Sequence, residues 1–171
     1  MLIPVSEELL DVVNEHDEII DVKTRGEIHA LGLMHRSVHI LVFNRNDDLF
    51  IQKRSMSKDN QPGLWDSSAA GHVDSGEDYH GCAIRELEEE LGINVTTSLE
   101  QLFRIQASTI TDMEHCIVYR NMNEGPFDLQ PEEIDEGAWI SGSDMDARVR
   151  KEDPTLTHVL RFIWKKFRED Y

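Results

Sequence analysis

Three glutamates, Glu86, Glu89 and Glu90, stand at i, i+3 and i+4 within Arg85-Glu86-Leu87-Glu88-Glu89-Glu90-Leu91-Gly92. On a helix turning about 100° per residue this spacing gathers three carboxylates on one face and leaves Ile84, Leu87 and Leu91 on the adjacent apolar one. Like charges four residues apart cost an isolated helix about 0.2–0.5 kcal/mol per pair, so three together call for a compensating charge. A divalent cation supplies it. Carboxylates are hard oxygen ligands suited to Mg2+ or Mn2+, ions that keep waters and bridge phosphate oxygens. The chemistry expected of this face is metal-assisted cleavage at phosphorus. The plain alternative is a solvated acidic face, usual for a Glu-rich helix in an acidic chain; the cap, loop and arginine around this one weigh against it.

Such a helix must be started, stopped and packed. A turn at Asp74-Ser75-Gly76 leads into a helix expected over about 77–91, with Ser75 and Asp78 spaced as a capping box and Gly92 placed to end it. Upstream, the β-rich runs 38–43 and 49–53 flank Asn44-Arg45-Asn46-Asp47-Asp48 and predict a β-hairpin. Pro62-Gly63 breaks the chain before Trp65, and a strand leads to Gly71. Residues 99–107, 116–121 and 138–140 read as further strands, and 156–167 as a terminal amphipathic helix. Toward the N-terminus the pattern predicts a short acidic helix over 6–14, a strand over 18–23 and a weaker helix over 25–34. Strands and helices without strict βαβ alternation favour an α/β fold, a mixed sheet packed between helices.

Composition bounds the function. A chain of 171 residues suits one domain over 1–171, with 1–24 as an N-terminal extension. Its 34 acidic against 17 basic residues give a net charge of −17, which disfavours general nucleic-acid binding and anionic membranes. A small anionic substrate is admitted only where a metal ion or local cations reverse the sign inside a cleft. Apolar residues alternate with charged ones, and the N-terminus lacks a basic start and apolar run, so a cytoplasmic protein is expected. Cys82 and Cys116 have no metal or disulfide spacing and are read as structural thiols. Trp65, Trp139 and Trp164 are read as core anchors. The C-terminal apolar face, Leu160, Ile163, Trp164 and Phe167, is expected to cover the chain's own sheet, and oligomeric state stays open.

The segment from Gly71 to Ile93 is similar, position for position, to the signature of the Nudix hydrolases: Gly71, Glu77, Arg85-Glu86, Leu87, Glu89-Glu90, Gly92 and Ile93 fill its defining places. The resemblance implies an α/β/α sandwich and metal-dependent cleavage of a diphosphate linked to another moiety, a nucleotide above all. It makes Glu86, Glu89 and Glu90 metal ligands, and Arg85 the residue that orients a neighbouring catalytic carboxylate. Glu77 becomes the acid at the helix start, Gly71 and Gly92 signature supports, and the carbonyl of Ala70 a further ligand. The mechanism implied is attack of a metal-polarised water on phosphorus, with a carboxylate taking the proton. Glu86 suits that role, and Glu114 is the first candidate outside the signature, ahead of Glu132, Glu133 and Glu136.

From about residue 20 to 140 the chain also resembles the superfamily branch that includes isopentenyl-diphosphate isomerase. The similar pieces are residues 35–44, 52–55, Lys58, 62–66, Gly71-His72 and 112–116. This resemblance implies metal binding by His35, His72 and Glu114 and a grip on the substrate diphosphate by Arg54 and Lys58. The isomerase needs a cysteine just before Gly-His, where this chain has Ala70, which holds no titratable proton. Isomerisation by that route is closed, and hydrolysis is favoured. A non-catalytic nucleotide or metal binder on the same fold is the remaining alternative.

Overall fold

The computed structural model describes residues 2–96 and 99–171. Its spine is strand β3 (His35–Phe43), buried along nearly its whole length, as expected of a strand covered on both faces. Strand β8 (Glu114–Met122) runs parallel to it in continuous register from His35↔Glu114 to Phe43↔Met122. Along its other edge β3 pairs antiparallel with β6 (Ala69–His72), from Ser37↔His72 to Ile40↔Ala69. The predicted hairpin forms, but β3 and β4 (Leu49–Arg54) share only two pairs, Val42↔Phe50 and Phe43↔Leu49. Strand β4 then diverges to pair with β5 (Trp65–Asp66) and β9 (Ile134–Ile140), while β7 (Glu100–Ile105) closes the far edge against β8.

Alternation along β3 sets the two layers of core. Val38, Ile40 and Val42 meet Cys82, Ala83, Leu87 and Leu91 of α2 (Tyr79–Leu91) on one face. Leu41 and Phe43 meet Met145 and Val149 of α3 (Gly142–Arg150) and Leu160, Ile163, Trp164 and Phe167 of α4 (His158–Asp170) on the other. The result is the expected α/β/α arrangement around a mixed sheet, with the C-terminal helix on its own sheet. Among the described residues no helix is long and apolar enough to cross a membrane.

Several local expectations are corrected. Residues 6–14 hold no α-helix; a 3-10 turn at Val5–Glu7 precedes strand β1 (Leu9–Val13), which pairs with β2 (Ile19–Thr24). Val12 and Val13 are β-branched and gain a ladder, and Leu10 and Val12 are buried with Ile28 of α1 (Arg25–Leu31). Helix α1 starts at a Thr24/Glu27 capping box and stops at Gly32 (φ +64), short of residue 34. The cap of α2 is Asp78 itself, accepting from the Gly81 N–H, whereas the Ser75 hydroxyl donates to Asp11. Gly92 ends α2 in the left-handed region (φ +68), with its N–H on the Glu88 carbonyl and the Ile93 N–H on that of Leu87. Helix α3 carries too weak an apolar period to be read in advance, since only Met145 and Val149 are buried. Trp164 is a core anchor, but Trp139 is 37% exposed against Phe50 and Phe127. Cys82 and Cys116 are buried and unpaired.

Candidate active site

The N-terminal end of β3 and the short β6 bring two chemical clusters together. The first lies where α2 crosses Gly71. A Cβ at that position would stand 2.0 Å from Glu86 Oε1, so glycine is what lets the carboxylate lie against the strand. Arg85 then ties the acids. Its Nε and Nη2 donate to the two Glu77 oxygens at 2.8 and 2.9 Å, and its Nη1 to Glu86 at 2.8 Å and Glu89 at 3.2 Å. A further bond from Nη2 to the His72 carbonyl, at 3.1 Å, fixes the guanidinium to β6.

The three glutamates do not share one environment. Glu89 is half exposed, and among the described residues its side chain hydrogen-bonds only to Arg85. Glu90 is buried, its two oxygens accepting from the Ala70 N–H at 2.9 Å and from Gln52 at 3.1 Å. Burial, then repulsion from Glu90, pushes the Glu86 carboxyl up, against the pull of Arg85. Burial raises Glu90 to about 7, partly offset by its two hydrogen bonds. Arg85 therefore compensates only part of the crowded charge, and two buried carboxyls favour a cation beside them.

The second cluster is sharper. Ligand atoms of His29, His35, His72 and Glu114 all lie within 4.8 Å of one another. Register explains the meeting: His35 pairs with Glu114 across β3 and β8, and His72 follows Gly71 on β6, with its side chain leaving the opposite face. His35 Nδ1 donates to the Leu33 carbonyl at 2.9 Å, and its buried Nε2, 3.4 Å from a Glu114 oxygen, has no hydrogen-bond partner among the described residues. Burial, reinforced by the neighbouring His72, lowers His29 to about 4, so this imidazole is neutral at pH 7. Burial opposes ionisation of Glu114, but facing His72 and His35 overrides it and holds the carboxyl well below its ordinary range. Three imidazoles, one of them with an unpartnered buried nitrogen, and an ionised carboxylate make a donor set fit for a divalent cation.

His29 was not legible in the sequence. It lies in a weakly patterned segment, and only the chain reversal at Gly32 carries α1 back beside His35. Gln52, which holds Glu90, was likewise unmarked. Arg54 and Lys58 are both engaged. Arg54 reaches the Asn60 carbonyl and Asp66, and Lys58 pairs with Glu133. Glu132 and Glu136 are exposed.

Gly71→Ala tests the close approach directly. The variant is expected to fold, because Gly71 adopts ordinary strand geometry in β6, yet to lose turnover by more than about tenfold as Glu86 is displaced. Unchanged kinetics at unchanged Tm would refute the reading.

The NUDIX domain family model matches residues 33–160. An uncharacterized Nudix hydrolase of Yersinia pestis is 34% identical over 169 residues, covering 96% of this chain and 90% of that protein. The uncharacterized Nudix hydrolase YfcD of Escherichia coli K12 is 32% identical over 165 residues, covering 94% and 88%. The crystal structure of DR0079 from Deinococcus radiodurans superposes with a TM-score of 0.83 at 28% identity, covering 93% of this chain and 98% of that one. A complete signature on α2, the sandwich that carries it and relatives that span nearly the whole chain lead to one conclusion: the chain belongs to the Nudix hydrolase family.

Proposed function

We propose that this chain, acting as a single domain over 1–171, hydrolyses the phosphoanhydride of a nucleoside di- or triphosphate or a related nucleoside diphosphate derivative. The observation that carries the proposal is the Glu86 carboxylate packed against Gly71 and tied to Arg85, with Glu90 buried one turn on and held by the Ala70 N–H and Gln52, both carboxyls raised by burial. In this reading Glu86, Glu89, Glu90 and the Ala70 carbonyl hold Mg2+ or Mn2+. A bound ion would neutralise phosphate oxygens and acidify a water.

The chain's own residues supply the rest. Glu77 and Arg85 orient Glu86, which accepts the proton of the attacking water. Arg54 and Lys58 grip the diphosphate, Lys58 by exchanging its Glu133 partner for substrate oxygen. Glu114, held ionised among imidazoles, suits a ligand of the histidine cluster better than a base. That cluster, His29, His35 and His72 with Glu114, supports a second ion, and its imidazoles favour Mn2+ over Mg2+. It also supports kinship with the isomerase-like branch, while Ala70 keeps the chemistry hydrolytic. The buried, unpaired thiols accord with a reducing, cytoplasmic setting.

The test is a panel of nucleoside diphosphates, nucleoside triphosphates, sugar nucleotides, dinucleoside polyphosphates and prenyl diphosphates, with Mg2+ or Mn2+, reading phosphate release and product structure. Release of phosphate from a nucleotide is expected. A moved double bond without phosphate release would instead establish the isomerase. Tight binding without turnover anywhere on the panel would leave a nucleotide sensor. His72→Ala is expected to remove one equivalent of bound Mn2+ by metal analysis, and full retention would sink the second-ion assignment.

A further inference from the structure

We propose that Asp66 is a positioning residue that sets the Arg54 guanidinium for the substrate's diphosphate. This rests on the diphosphate reading above. Asp66, in β5, is buried to 6% side-chain exposure, and such a carboxylate is costly unless its oxygens are satisfied. One oxygen accepts from the Ser67 N–H at 2.8 Å and from the Thr157 hydroxyl at 3.1 Å. Thr157, itself fully buried, is the cap of α4. These two neutral donors pin the carboxylate, and its other oxygen faces Arg54 Nη1 at 3.4 Å.

On its second side the guanidinium is held by the Asn60 carbonyl, which accepts from Nε at 3.1 Å and Nη2 at 2.9 Å. Three of five N–H groups are then spent, leaving one on each terminal nitrogen. A planar guanidinium fixed from two sides offers those donors to two oxygens of a phosphate without paying rotamer entropy at binding. Closing the 55–63 loop does not require the side chain. The Arg54 N–H already bonds the Leu64 carbonyl at 2.8 Å and the Gly63 N–H the Arg54 carbonyl at 2.9 Å. Among the described residues the Lys58 side chain is held by Glu133 alone and has no such frame.

The experiment measures binding of inorganic pyrophosphate with Mg2+ by calorimetry to the full chain, to Asp66→Asn, to Arg54→Ala and to the double variant. Asparagine keeps an acceptor for Ser67 and Thr157 and removes the charge facing Arg54. Asp66→Asn is expected to weaken binding about tenfold with Tm held, and to have no further effect in the Arg54→Ala background. A general loosening of the site would weaken both backgrounds alike and overturn the proposal, as would unchanged affinity of Asp66→Asn while Arg54→Ala binds weakly. Failure of the wild type to bind pyrophosphate, or of Arg54→Ala to weaken it, would bring down the diphosphate reading and this inference with it. If Asp66→Asn fails to fold, Asp66→Ser is measured by the same cycle and the same criteria.

Discussion

Glu86→Gln is expected to lower kcat by about 10³-fold, within the range by which a positioned proton acceptor accelerates such reactions, while leaving the fold intact. Glutamine reproduces the shape of the carboxylate, so contact with Gly71 survives and the amide oxygen still accepts from Arg85 Nη1. What disappears is a buried negative charge that repels Glu90. Two effects of opposite sign follow. Activity collapses because the proton acceptor and metal ligand is gone, whereas in EDTA the variant melts at or above the wild-type temperature because repulsion inside α2 is relieved. A merely structural Glu86 would give the reverse pair, a lower Tm with kcat within about threefold of wild type, and that result would refute the proposed role.

In EDTA the wild-type protein is expected to lose stability as pH rises, and Mg2+ or Mn2+ to restore more of it the higher the pH. Glu90 sits at about 7 in the folded protein against an ordinary 4.5. The folded state therefore holds a proton that the unfolded chain has released, and the stability this confers is complete below pH 4.5 and lost as pH rises through 7. At 1.36 kcal/mol per pH unit the loss is on the order of 3 kcal/mol, and Glu86 shifts in the same direction. A divalent ion binds the ionised carboxylates of the folded chain only, so its stabilisation grows over the same interval. His29, lowered to about 4, acts with opposite sign: its contribution is present above about 6.5 and is lost as pH falls. Comparing wild type with Glu90→Gln across pH 5–8 isolates the carboxylate. Parallel Tm profiles for the two proteins, with and without metal, would remove Glu90 from the site.

Much of this protein is written in short-range pattern. The i, i+3, i+4 spacing of Glu86, Glu89 and Glu90, the stop at Gly92 and the alanine at position 70 are local features, so they define the signature helix, and the expectation against isomerisation, without coordinates. Helical phase alone, however, puts the three acids on one face, and it was packing on Gly71 and Gln52 that turned Glu86 and Glu90 inward and left Glu89 to solvent. Residues 6–14 carry a pattern that reads as helix, and the strand β1 found there owes its state to the ladder with β2 rather than to an unambiguous local period. The histidine cluster shows the same limit more strongly. The resemblance groups His35, His72 and Glu114 as metal ligands but not His29, which joins them only through the chain reversal at Gly32, while His35 and Glu114, 79 positions apart, meet through a parallel register. Sequence by itself thus determined the reaction class, because phosphate chemistry is encoded in one helix and its flanks. Tertiary structure alone decided which acids are buried, which cations are already paired and where three histidines and Glu114 gather into a set able to hold a divalent ion, because those depend on side chains that meet only after the sheet has assembled.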